Sequence, residues 1–477
     1  MQRIFSLGAY APIRYIIIAV LMLPGWQILY GQNPTRLQHP ATNANQQIKK
    51  TFPYSWNILF NKNTNAATRK LIIKRIQDSL VKYCQKNHPD TIPEFDSPVY
   101  CPCDSLLYNI RYMFYGGSVS SPLGVQPVAG GGDELAIQFI SKNDSITKME
   151  PDVIAGPYPR KRSISLNLPV GIIWRGVLAV IDTGIDTTLF SSNISGLLWR
   201  KPGQGSTIYN FLPHQNPDSL RDNHGGRHGT LVTTLALKAL STIGKGNLYP
   251  KIMVLKALDS NKIGSVFSVS CALSYARQNK ATVVNASLGY YGESNELLLH
   301  YIKKCSGKSG NPTLIFAAAG NIITEEHLDN KLCNKPRSDN QLTNSRTFFP
   351  ASWSPLLKHV ITITGLDSMG LSCYYQNYSN EFVTLGVLNK KTSQGRIPGE
   401  CCSYKAPFNN RTYEGSSFAT PIACGLLMRY MLNNGFNTTQ LIEKIAFQGN
   451  PPTGNIIYRG TQGATKDGKY LVFPVKP

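Results

Sequence analysis

Acidic residues are scarce in this chain of 477: Asp and Glu number 27 against 49 Lys and Arg, leaving a formal net charge of +22. Charged residues of all kinds make up only 16%, while hydrophobic ones make up 42%, a balance that excludes general disorder. A positive surface of that size suits nucleic acid, anionic membrane or acidic substrate. The basic residues are scattered, however, with Arg160, Lys161 and Arg162 as the tightest group and no basic helix among them. A diffusely basic surface is expected, and no nucleic-acid partner. Zinc-ligand spacing is also missing, because Cys101-Pro-Cys103 has no second matching pair and the histidines are not at metal spacing, so no zinc site is expected. Long apolar runs are lacking too. The longest, Tyr15 to Tyr30 with IIIAVLML at its centre, is broken by Pro24-Gly25 and falls short of the roughly 20 residues a spanning helix needs. It follows Arg3 and Arg14 and ends before Gly31, which is the shape of a secretory signal peptide over 1–31 and not of a stable membrane span. No cysteine follows the run to carry a lipid.

What is present fits export. Ten cysteines stand at 84, 101, 103, 271, 305, 333, 373, 401, 402 and 424, as in a secreted or periplasmic protein whose disulfides persist; their connectivity is not readable from spacing. The length allows a large α/β domain with an N-terminal extension. Residues 32–162 are mixed, with a predicted helix over Ala67 to Tyr83, turns at Gly116-Gly117 and at 130–132, and an exposed basic linker near 160. From 163 to 477 short β-branched runs alternate with amphipathic stretches, the pattern of a mostly parallel sheet covered by helices on both faces. Strands are expected at Gly176 to Ile181, Lys251 to Leu255, Thr282 to Ser287, Thr313 to Ala318 and Val360 to Thr364. Helices are expected at His228 to Leu240, Val266 to Gln278, Glu296 to Lys304 and Ser417 to Asn433.

Functional groups in such a sheet gather beyond the carboxyl ends of strands and at the amino ends of the helices that follow. Asp182 ends the strand in GVLAVIDTGID, His228 opens the helix in GGRHGTLVTTL, Asn321 follows the strand in TLIFAAAGN, and Ser417 opens the helix in GSSFATP. A serine hydroxyl needs a base to take its proton, and the base needs a carboxylate to fix its tautomer. The oxyanion that then develops needs donors, which the Asn321 side chain and the Ser417 amide at a helix N-terminus can supply. Singly, each residue has a structural reading: a turn for Asp182 and Asn321, a helix start for His228, a cap for Ser417, with His224 and Ser416 as rivals for the last two.

Together, IDTGID, GGRHGT, ASLG, AAAGN and GSSFATP resemble the ordered motif set of the subtilisin-like serine peptidases over roughly residues 170 to 435. The resemblance implies a three-layer α/β/α fold and cleavage of peptide bonds through an acyl-enzyme. It places the nucleophile at Ser417, the base at His228, the carboxylate at Asp182 and the oxyanion donor at Asn321, with no cofactor for catalysis. It makes 32–162 a propeptide-like or accessory region. It also implies that extended peptides or proteins lie between an edge at Gly264 and an edge at Ser287, Leu288 and Gly289, near Gly320. Many subtilases hold structural calcium, yet no oxygen-rich loop here singles out ligands. Departures are LVTTL after His228-Gly229-Thr230, Ser416 and Phe418 around the nucleophile, and inserts near Asn330 to Thr347 and Lys390 to Asn409. Two alternatives stay open: a pseudopeptidase that binds without cutting, and an acyl transferase that closes peptide rings.

Overall fold

The computed structural model describes residues 54–115, 137–142, 145–147 and most of 163–473, the longest gaps in that last stretch being 323–337 and 390–403. The expected signal peptide over 1–31, the basic linker at 160–162, the first part of the insert near Asn330 to Thr347 and most of that at Lys390 to Asn409 lie outside the described residues.

The N-terminal part forms a lobe. Strand β1 (Tyr54–Phe60) leads into helix α1 (Ala66–Asn87), then β2 (Ile92–Phe95), β3 (Val99–Cys101), β4 (Asp104–Tyr115) and β5 (Ile137–Lys142). Asn65 caps α1 by accepting from the Thr68 amide at 2.8 Å, which is why the helix begins just where the periodicity does. The strands pair antiparallel in the order β2-β4-β1-β5, with β3 also on β4. Ile72, Ile73, Ile76 and Leu80 of α1 bury against Trp56, Ile58 and Phe60 of β1.

Strands β6 (Ser145–Thr147), β7 (Ile173–Asp182), β8 (Tyr209–Asn210), β9 (Leu248–Lys256), β10 (Ile263–Ser265), β11 (Val283–Ala286), β12 (Tyr290–Tyr291) and β13 (Leu314–Ala318) follow, with helices α2 (His228–Thr242), α3 (Val266–Gln278) and α4 (Glu296–Lys304) between them. After them come β14 (Phe348–Phe349), β15 (Val360–Leu366), β16 (Leu385–Asn389), the hairpin β17 (Tyr404–Lys405) with β18 (Thr412–Tyr413), helices α5 (Ser416–Asn434) and α6 (Thr438–Ala446), β19 (Ile457–Arg459) and β20 (Lys469–Phe473). Nine of these make one sheet in the order β19-β20-β16-β15-β13-β11-β7-β9-β8. All neighbours are parallel except β19 and β20.

Alternation along β7 explains the layers. Leu178 and Val180 join one buried cluster with α2 and α5, whereas Ala179 and Ile181 join another with α3 and α4. Each buried Val, Leu or Ile contributes roughly 1.5–3 kcal/mol, so both faces must be covered for the strands to be as apolar as they are. The result is the expected three-layer α/β/α sandwich. Helix α5 runs through its core with every residue from Ser416 to Leu432 buried. Its close approach to α2 depends on Gly425, where an added Cβ would sit 2.3 Å from the Ala236 carbonyl oxygen.

Candidate active site

β7 delivers Asp182 to the carboxyl rim of the sheet, and α2 begins at His228 beside it. The Asp182 Oδ1 accepts from the Thr183 amide at 2.7 Å and lies 3.1 Å from His228 Nδ1, with both side chains buried. Thr183 ties the two elements together: its Oγ1 accepts from the Gly229 amide at 2.9 Å and donates to Asp222 Oδ1 at 2.9 Å. Only glycine fits at 229, since a Cβ there would meet the Gly184 carbonyl oxygen at 2.3 Å. Fully buried Asp222 also accepts from the amide of Thr230 at 2.9 Å and its hydroxyl at 2.8 Å, which satisfies a donor at the start of α2. Sequence reasoning missed Asp222 and Thr183; the signal available was an acidic residue placed six before His228 in a glycine-rich stretch.

His224, the rival base, sits at the entrance to α2, where its Nδ1 accepts from the His228 amide at 3.3 Å. The His228 ring lies against Phe418, the neighbour of Ser417, with centroids 5.0 Å apart.

Ser416 and Ser417 open α5, and their hydroxyls do different work. Ser416 Oγ accepts from the Gly320 amide at 3.0 Å and donates to the Gly320 carbonyl at 3.2 Å, which pins the end of β13 to α5. The Ser416 amide donates to Asn321 Oδ1 at 3.0 Å. That bond orients the Asn321 side chain by its oxygen, and the amide nitrogen is its donor end. Ser417 Oγ donates to the Ser287 carbonyl at 3.1 Å, while Ser287 Oγ donates to the Ser417 carbonyl at 2.8 Å. Pro421 accounts for the second bond. It lies inside α5, and four residues after Ser417 it has no N–H to give the Ser417 carbonyl. The Ser287 hydroxyl takes that place.

Of the expected substrate residues, Gly264 lies in β10, which pairs antiparallel with β6: Ile263 with Thr147, Gly264 with Ile146, Ser265 with Ser145. Leu288 is buried, and Gly289 and Gly320 face the ring of Phe348. Asp182, His228, Asn321, Ser417, Ser287 and Gly320 thus meet at one rim. Gly264 stands on an edge already paired with the chain's own N-terminal strand. Among the described residues no cluster of three or more His, Cys, Asp or Glu is arranged to hold a metal, and no helix is long and apolar enough to cross a membrane.

A nine-stranded, nearly all-parallel sheet between two helical layers, with a buried Asp–His pair and a helix-opening serine at its rim, defines the subtilisin-like α/β/α class. The chain belongs to the Subtilase family, whose model matches residues 176–441. It is 25% identical over 275 residues to a thermophilic serine proteinase of Bacillus sp. (strain AK1), a match covering 56% of each protein. It is 27% identical over 248 residues to the cell wall-associated protease of Bacillus subtilis (strain 168), covering 52% of this chain and 22% of that one. The chain therefore spans only about half, or less, of the length of these relatives. In fold it is similar to the epidermin leader peptide processing serine protease of Staphylococcus aureus, with a TM-score of 0.51 and 15% identity over 88% of this chain and 97% of that one.

Proposed function

We propose that the chain is a secreted serine endopeptidase that hydrolyses peptide bonds through an acyl-enzyme. The observation that carries this reading is the buried contact of 3.1 Å between Asp182 Oδ1 and His228 Nδ1. A carboxylate there holds the proton on Nδ1 and leaves Nε2 as the acceptor, the tautomer a general base requires. The Ser417 hydroxyl has one hydrogen, and at rest it is given to Ser287. In the reaction it leaves that carbonyl, passes its proton to His228 Nε2, and Oγ attacks the scissile carbonyl carbon. Charge building on the carbonyl oxygen falls to the Asn321 amide nitrogen and the Ser417 N–H, one of the first amides of α5, which have no intrahelical acceptor. Collapse expels the amine with the proton from His228. Water then repeats the sequence on the ester, using the same base. No cofactor takes part; structural calcium is left without assigned ligands.

The substrate lies as an added strand along β10 at Gly264 and along Ser287 to Gly289, recognised chiefly through main-chain bonds. The pairing of β6 with β10 supports this, because the edge already accepts an extended segment in antiparallel register. The same pairing supports a zymogen in which the N-terminal region fills the cleft until it is cut, and the apolar run within 1–31 supports export.

The test is labelling with a serine-directed phosphonate, followed by mapping of the modified peptide, with product masses from an extended peptide substrate. Modification of Ser417 with linear, water-added products supports the proposal. Absence of label, or products lacking the added water, would overturn it in favour of a binding protein or a ring-closing transferase.

A further inference from the structure

Three thiols from distant parts of the chain meet where the N-terminal lobe packs against helices α3 and α4. Cys101 ends β3, Cys103 stands in the turn before β4, and Cys271 lies in the middle of α3. Cys101 Sγ and Cys103 Sγ are 3.0 Å apart, and Cys103 Sγ lies 3.1 Å from the Cys271 carbonyl oxygen. The Cys271 side chain interacts with both of the others. The turn that carries the first two is held in place by groups around it. Gln278 Nε2 donates to the Cys103 carbonyl at 2.6 Å, and the Tyr301 hydroxyl donates to Asp104 Oδ2 at 2.7 Å. Cys101 also packs into the same buried cluster as α3 and α4. The three sulfurs are therefore positioned by a rigid interface.

Their accessibility differs. Cys101 and Cys271 are buried, whereas Cys103 is only partly buried, so a reagent from solvent meets Cys103 first. Hydrogen bonds from the Cys101 and Cys271 side chains pull the Cys103 thiol down to about 5, and burial pushes Cys101 and Cys271 up. Cys103 is thus the thiol that ionises and attacks, and the other two are resolving thiols. Three cysteines precede residue 162 and seven follow it, so neither region can pair all of its own internally.

We propose that Cys103 and Cys271 form a disulfide that joins the N-terminal lobe to α3, with Cys101 as the exchange thiol. The oxidant is an external disulfide, small or protein-borne. Cys103 thiolate attacks one of its sulfurs, forming a mixed disulfide and releasing one thiolate. Cys271 loses its proton, attacks Cys103 Sγ and expels the second. Two protein thiols have then lost two electrons, and the external disulfide has become two thiols carrying the two protons. Attack of Cys101 on Cys103 Sγ reverses the cross-link without further oxidation, leaving Cys101 bonded to Cys103 and Cys271 as a thiol. While the cross-link stands, a cut in the chain between the regions leaves the lobe attached. The link itself does not depend on the peptidase reading.

Full-length protein is treated with glutathione disulfide, alkylated with iodoacetamide and digested with trypsin without reductant. Trypsin yields residues 87–111, with Cys101 and Cys103, and residues 263–277, with Cys271. The expected result is a mass for the two peptides joined, with fragment ions placing the bond on Cys103, from protein that runs as a monomer on a non-reducing gel. Dithiothreitol separates them. Cys271→Ser should give peptide 87–111 two hydrogens lighter, bridged within itself. Recovery of Cys271 from the oxidised native protein only as the alkylated thiol, with no joined peptide, would overturn the proposal, as would a Cys271 cross-link whose bond lies on Cys101 or one found only in a dimer. These readings come from the unmodified sequence, so a variant that fails to fold does not obscure them.

Discussion

Ser287 and Ser417 hold each other through two reciprocal hydrogen bonds, hydroxyl to carbonyl in each direction, at 2.8 and 3.1 Å. One residue follows β11, the strand that borders the proposed substrate cleft, and the other stands in the first turn of the central helix. The pair thus couples the proposed substrate edge to the proposed nucleophile. Ser287→Ala removes the donor that replaces the missing Pro421 N–H and leaves the buried Ser417 carbonyl unsatisfied. A loss of about 1–3 kcal/mol is expected, read as a lower urea midpoint with unchanged slope. An unaltered midpoint would mean the carbonyl finds another donor.

Ser417→Ala and His228→Ala should each remove nearly all turnover, by roughly 10⁶-fold, a magnitude measured on a subtilisin, and the double variant should be little worse. Asn321→Ala should lower turnover by about 10²- to 10³-fold with KM nearly unchanged. Ser416→Ala is the informative control. Its hydroxyl is committed to Gly320, so stability should fall while catalysis persists. Activity retained in Ser417→Ala would move the nucleophile elsewhere.

Burial raises the Glu414 carboxyl, three residues before Ser417, to about 8. An acid whose folded pKa lies above its unfolded value is favoured in the fold as the neutral form. Its contribution is whole below the unfolded pKa and is lost as pH rises through the folded one, here between about 4.5 and 8. Glu414→Gln should therefore gain stability relative to wild type across that window, with a limiting slope of about 1.4 kcal/mol per pH unit. Urea titrations of both proteins at several pH values check this; parallel curves would contradict it.

Much of this was legible in the sequence because the parallel strands are buried on both faces. The expected Thr313 to Ala318 appears as Leu314–Ala318, and Val266 to Gln278 and Glu296 to Lys304 match to the residue. The N-terminal sheet was not legible, because its strands are recognised only through partners far apart: β1 pairs with β4 and β5, and neither pairing leaves a local mark. The site divides in the same way. Asp182, His228, Asn321 and Ser417 announce themselves by motif, whereas Asp222 acts through hydrogen bonds to Thr183 and Thr230 that only the folded chain brings together.

Phe348 sets the expected side-chain preference. A Cβ on Gly289 would stand 2.3 Å from its ring and one on Gly320 2.9 Å, so the ring fills the space between the two backbone segments beside Asn321. In the proposed binding mode, a substrate residue whose carbonyl lies at Ser417 places its side chain between those segments. Wild-type protein should cleave after small residues in a mixed peptide library, and Phe348→Ala should extend cleavage to large apolar ones. Efficient wild-type cleavage after Phe or Leu would refute the reading, whatever the stability of the variant.

The last expectation concerns where the chain is first cut. Strand β6 runs antiparallel to β10 with Ile146 opposite Gly264, the register proposed for a substrate approaching Ser417. In the proposed binding mode a segment held on β10 is cut close to the edge it occupies, so self-processing is expected soon after Thr147. The basic group at Arg160, Lys161 and Arg162 lies more than ten residues further on, and a cut there suits a separate protease that reads basic residues. N-terminal sequencing of processed wild-type protein should therefore begin before residue 160, and Ser417→Ala should remain uncut. A single new N-terminus at 161–163, formed equally in Ser417→Ala, would show that processing is external and that β6 occupies the edge without being presented for cleavage.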